Sequence, residues 1–165
     1  MLLTLLTLAA IDLPPRPMKV EIIRDAITDR VGATASLSDG RNRLEVGCEP
    51  DDSRRVRVTL NSGRWLARGN FFTRARALTY RFDAEEPQRM MWEVEDRAAT
   101  LDGRTRVAPF LQNLMVADRL VVRARDIEDN RFDMIFRLEG VRPAVEQVLA
   151  ACGDTRLSGY VLGAP

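Results

Sequence analysis

Between residues 43 and 60 the chain alternates in a way that only an extended backbone can use. Leu44, Val46 and Cys48 share one side, with Arg43, Glu45 and Gly47 opposite. After the turn Glu49-Pro50-Asp51-Asp52-Ser53, Val56, Val58 and Leu60 alternate with Arg55, Arg57 and Thr59. Successive side chains of a strand point to opposite faces, so this period of two specifies half-buried strands and places Cys48 on a core-facing position. The signal recurs along the chain. Val20-Glu21-Ile22-Ile23 is a short apolar run, and Ala33 to Leu37 stops at Ser38-Asp39-Gly40. Leu78 to Phe82 and Met90 to Val94 are joined by a polar stretch, and Leu120 to Ala124 and Phe132 to Leu138 frame a hairpin at Glu128-Asp129-Asn130.

Two segments carry helical spacing instead. Val107 to Ala117 presents Phe110, Leu111, Leu114 and Met115 on one stripe, with Pro109 near the first turn. After Gly140, Pro143 opens a second helix whose stripe is Val145, Val148, Leu149 and Cys152, and Gly153 stops it. Strands do not alternate regularly with helices, so parallel βαβ units are not expected. The expected class is α+β: a mainly antiparallel β-sandwich or barrel-like sheet with two short helices, the second packed at the C-terminal end.

At 165 residues the chain makes one domain. The expected division is a truncated signal segment with a Pro-rich linker over 1–17, a single β-rich domain over 18–153, and a flexible Gly-rich tail over 154–165. Met1 to Ala10 is apolar apart from Thr4 and Thr7, and runs into Leu13-Pro14-Pro15-Arg16-Pro17. Such a run is far below the roughly 20 residues that span a bilayer, so no transmembrane span is expected. It has the length of a signal-peptide core but no basic residue before it. A secretory signal and a first apolar element of the domain both remain open, and the proline-rich break favours the signal.

Cys48 and Cys152 bear on the same question. They are 104 residues apart, without a CxxC pattern, in a chain with no histidine, which excludes a zinc site. Two buried thiols in a cytosolic protein, or one long-range disulfide in an oxidising compartment, both satisfy the count. The disulfide agrees with the signal-like N-terminus and gives a periplasmic or secreted location.

The absence of histidine also removes Ser-His-Asp and Cys-His triads and the HExxH helix, and lysine occurs once, at Lys19. Asp126, Glu128 and Asn130 imitate the start of a calcium loop, but Arg131 stands where glycine is needed and Arg137 where a bidentate glutamate is needed. A polar hairpin tip is the better reading. Carboxylate pairs such as Glu93 and Glu95 alternate with apolar residues as a solvated strand face does. A non-enzymatic domain with no cofactor and no metal is expected.

One charge distribution is unusual. Residues 53–82 hold eight arginines and no acid, interleaved with Trp65, Phe71, Phe72 and Tyr80, although the whole chain carries 25 basic and 24 acidic residues. Arg55, Arg57, Arg64, Trp65 and Arg68 are therefore candidates for an anion-binding module taking nucleic acid, acidic lipid or glycan, or for an acidic protein partner. The competing reading pairs these arginines with acids elsewhere and packs the aromatics in the core. Near-neutral net charge disfavours nucleic acid.

The order of several short motifs resembles the VasI-type accessory family of type VI secretion and its exported relatives. Asp25-Ala26-Ile27-Thr28-Asp29 is similar to an early S-P-x-D-D motif, Leu44-Glu45-Val46-Gly47-Cys48 to a strand ending in cysteine, and Tyr80-Arg81-Phe82-Asp83 followed by Trp92 to an R-F-D…W arrangement. Phe110 to Ala117, Leu120 to Arg123, and Phe136-Arg137-Leu138-Glu139-Gly140 then lead into the helix that ends at Cys152. The resemblance covers residues 20 to 153. It implies an exported, disulfide-linked, β-rich accessory or interaction domain of the bacterial envelope without catalytic activity, acting with a protein partner and linked to type VI secretion. The arginine-rich middle and the run after Gly153 depart from the family pattern.

Overall fold

The computed structural model describes residues 17–52, 54–67 and 75–163. The expected signal segment and linker therefore fall outside the described residues except for Pro17. Among the described residues nine strands form a single sheet in which every hydrogen-bonded neighbour is antiparallel. In chain order they are β1 (Lys19–Arg24), β2 (Val31–Asp39), β3 (Asn42–Cys48), β4 (Arg57–Asn61), β5 (Ala75–Phe82), β6 (Gln88–Glu95), β7 (Ala98–Leu101), β8 (Arg119–Arg125) and β9 (Arg131–Arg137). Their order across the sheet is β1-β2-β3-β4-β7-β6-β5-β8-β9. The sheet curls enough to bring β9 into contact with β2. The class is α+β, as the alternation implied.

Registers follow the apolar pattern. Leu44 pairs with Leu60 and Val46 with Val58, while Leu120 pairs with Phe136 and Val122 with Met134. All eight of these side chains are fully buried, because a one-residue slip would turn the whole set to solvent. On this inward face lie α1 (Arg104–Leu114), α2 (Val141–Cys152) and α3 (Thr155–Leu162). Phe110 of α1 makes edge-to-face contacts with Tyr80, Phe82 and Trp92, with ring centroids 5.2, 5.3 and 5.5 Å away. Such contacts add to the burial of aromatic area. The Trp92 indole is fully enclosed, and its Nε1 has no hydrogen-bond partner among the described residues.

Three expectations are corrected. Ala98–Leu101 is a strand that the pattern did not announce, reached from β6 through the two-residue turn Asp96-Arg97. The first helix begins three residues earlier than Val107, so Pro109 lies inside it with its ring exposed rather than in its first turn. Residues 155–162 are not a loose tail. They form α3, opened by the Asp154 carboxylate accepting from the Leu157 N–H at 3.0 Å, with Leu157 and Val161 buried.

Cys48 and Cys152 are joined as a disulfide, linking the end of β3 to the end of α2. Gly153 takes the left-handed conformation (φ 65°) and turns the chain out of α2 into α3. Beside the bridge, a Cβ on Gly32 would fall within 2.8 Å of the Cys48 carbonyl oxygen, so only glycine lets β2 and the residues after β3 approach this closely.

A loop of about 100 residues closed by a disulfide is credited with between 4 and 5 kcal/mol on chain-entropy grounds. Replacing both Cys48 and Cys152 by Ala should lower unfolding free energy by about 2–5 kcal/mol in urea titration, and reductant should bring the wild type down to the same value. Trp92→Phe conserves most volume and removes the orphaned donor, so it should cost below about 1.5 kcal/mol. Trp92→Ala, in the same titration, should cost about 3–5 kcal/mol.

Candidate functional site

The described strands run between two ends, and the five-residue β4 separates the sequence-predicted site residues into two groups. Arg55 and Arg57 lie at its beginning, while Arg64 and Trp65 come after its end. Arg68, Phe71 and Phe72 are outside the described residues. Tyr80 is a core residue whose hydroxyl donates to Gln88 Oε1 at 2.9 Å.

At the first end, Asp102 closes the run of β7 just before α1. Arg55 grips its carboxylate with both Nε and Nη2. The Gly103 N–H donates to Oδ1 at 2.5 Å, and Arg57 Nε lies 3.7 Å from Oδ2. Arg57 Nη2 also reaches Asp52 at 2.9 Å. A second pair stands opposite: Arg104, the first residue of α1, donates to Asp154 at 3.0 Å while Asp154 caps α3. Asp52, Arg54, Arg55, Val56, Asp102, Arg104 and Asp154 line an open cleft of about 370 Å³. Arg54 has no ion-pair partner among the described residues. The disulfide shapes both rims, since one is the chain leaving Cys48 and the other begins two residues after Cys152.

Burial pushes the Asp102 carboxyl up, but the Arg55 hydrogen bonds, the Gly103 N–H and the charge of Arg57 outweigh it, so its pKa lies below the ordinary carboxylate value. Asp102 is thus an ionised anchor at neutral pH, not a proton donor. Asp154 is committed twice, to a helix cap and to Arg104. The cleft fixes cations in place by means of enclosed carboxylates. Among the described residues no three His, Cys, Asp or Glu side chains form a group able to hold a metal ion.

At the other end, Arg64 Nη1 lies 3.2 Å from Asp126 Oδ2, and its guanidinium stands 5.2 Å above the Phe132 ring. Trp65, 45% exposed, is covered by Arg97 at 4.9 Å. Asp126 Oδ1 accepts from the N–H groups of Glu128 and Asn130 at 3.0 and 2.9 Å, which makes it the cap of the β8–β9 hairpin. Burial raises the Asp126 pKa, and these donors together with Arg64 bring it below the ordinary value.

The arginines expected to act together are therefore brought to two separate places, and each of the three described ones has an acidic partner. Asp102, Arg104 and Asp154 were not singled out by sequence reasoning. Asp102-Gly103 reads only as a turn, and the signal for Asp154 was its cap position three residues before an apolar one. No protein-family model, curated protein or solved structure matches the chain.

A carboxyl whose pKa is lowered in the fold stabilises the fold above its unfolded value, and the benefit disappears as pH falls through the folded value. Asp102→Asn should therefore cost about 1–3 kcal/mol at pH 7. The gap between variant and wild type should close as urea titrations are repeated below about pH 4. A gap that stays constant down to acid pH would show that Asp102 acts by shape alone.

Proposed function

We propose that this chain is an exported, non-enzymatic interaction domain of the bacterial envelope. The observation that carries the reading is the Cys48–Cys152 bond. It crosses from sheet to helix layer, and a bond of that kind persists in an oxidising compartment such as the periplasm. The organisation of the cleft supports binding over catalysis: its carboxylates are engaged by arginines, backbone N–H groups or a helix terminus, an arrangement that rigidifies a surface. The resemblance to the VasI-type family extends the reading to an accessory role in type VI secretion with a protein partner. No helix of the described residues is long and apolar enough to cross a membrane.

Fractionation tests the compartment directly. The chain, expressed from Met1 in a bacterium, is expected in the periplasmic fraction, with Cys48 and Cys152 resistant to alkylation under denaturing conditions until reductant is added. Recovery in the cytoplasm with both thiols alkylated would overturn the proposal.

A further inference from the structure

The outward face of the sheet, away from the helices, concentrates positive charge at one side. On β5, β8 and β9, six arginines point outward: Arg81 on β5, Arg119, Arg123 and Arg125 on β8, and Arg131 and Arg137 on β9, all exposed. Arg123 engages Asp133, the one carboxylate at the outward positions of these strands, with two hydrogen bonds of 2.8 Å, and Arg125 reaches Asp129 of the hairpin turn at 2.7 Å. Arg81, Arg119 and Arg131 have no ion-pair partner among the described residues. Two cross-strand pairs set arginine directly opposite arginine, Arg119 with Arg137 and Arg125 with Arg131. Facing like charges destabilise a sheet.

Protection of an exposed edge explains charges on β9. It does not explain those on β8 and β5, which have a neighbour on either side. Between the arginine rows lies an apolar row, half-buried Val121 paired with Ile135, which is 44% exposed. Met91, 48% exposed on β6, continues the same face. By strand geometry the patch covers about 10 Å across and about 20 Å along the strands.

We infer that this face docks onto an anionic phospholipid surface. Guanidinium forks match phosphate oxygens in pairs and are weakly hydrated, which suits contact with headgroups. The exposed Ile135 and Met91 side chains supply apolar tips that enter the interface between them. Charge complementarity selects a polyanion. The choice of lipid over nucleic acid comes from the apolar row and from the proposed envelope location, and only that second support rests on the proposed function.

The test uses the purified, oxidised full chain sedimented with vesicles of phosphatidylcholine, with or without phosphatidylglycerol. Binding is expected only to the anionic vesicles, and it should weaken steeply as salt shortens the range of surface charge. The triple variant Arg81→Gln, Arg119→Gln, Arg131→Gln should bind roughly a hundredfold more weakly. Its thermal unfolding should be unchanged, because the three replaced side chains are exposed and make no ion pair among the described residues. A control variant with Arg30, Arg142 and Arg156 changed to Gln removes equal charge elsewhere and should bind as wild type does. Equal binding to neutral vesicles, equal loss in both triple variants, or retention by duplex DNA with none by vesicles would each overturn the proposal. A periplasmic, oxidised chain that ignores vesicles refutes the lipid surface alone, whereas cytoplasmic free thiols refute the compartment without touching the vesicle result.

Discussion

The bridge between Cys48 and Cys152 ties the end of β3 covalently to the end of α2. β3 ends at one sulfur and α2 at the other, and each chain leaves in a constrained direction. Past Cys48 the backbone passes so close to Gly32 that no side chain fits there. Past Cys152, Gly153 turns it into α3. The segment leaving each cysteine becomes one rim of the arginine-lined cleft, with Asp52, Arg54, Arg55 and Val56 on one side and Asp154 on the other. Arg55 and Arg57 then secure the first rim to β7 through Asp102, and Arg104 secures the second to α1. The covalent tie and the ion pairs therefore act on the same junction, the first by limiting the unfolded chain and the second by fixing loop geometry.

Most of the sheet was legible because burial on one face writes itself as a period of two, and the inward sets Leu44–Val46–Cys48 and Val56–Val58–Leu60 are as the alternation placed them. β7 was hidden for a physical reason. Ala98-Ala99-Thr100-Leu101 is short, contains two alanines, and comes after a turn of two residues with Asp96 in a left-handed conformation (φ 50°). α3 was hidden because Ser158, Gly159 and Gly163 read as loop, and its stability comes from packing on α1 rather than from propensity. The cleft was less legible still. Its charges come from Asp52, Arg54, Arg55, Asp102, Arg104 and Asp154, so no linear window contains it.

The run of arginines over 53–82 shows how linear charge misleads. It reads as one patch, yet β4 carries its two described parts to opposite ends of the sheet, where Asp102, Asp52 and Asp126 meet them. The basic surface that does form takes only Arg81 from that run and draws the others from β8 and β9. Alternation explains both outcomes, because a strand spreads neighbouring charges over two faces and the sheet then collects charges from distant segments onto one.

Near-neutral total charge is compatible with such a face because the two signs are used differently. Asp25, Asp83, Asp102, Asp126 and Asp154 each accept backbone N–H groups at turns or helix starts, so these carboxylates are occupied within the fold. Asp29, Asp83, Asp96 and Asp129 also fill left-handed turn positions that most residues avoid. Arginine cannot accept a hydrogen bond and lacks the short polar side chain that eases Asp into the left-handed region. Several acids are thus drawn into turns by the demands of folding, while Arg81, Arg119 and Arg131 stay on exposed strand positions without an ion-pair partner among the described residues. A chain with one net charge can in this way present a cationic surface, and the position of that surface is dictated by which strands the topology makes neighbours.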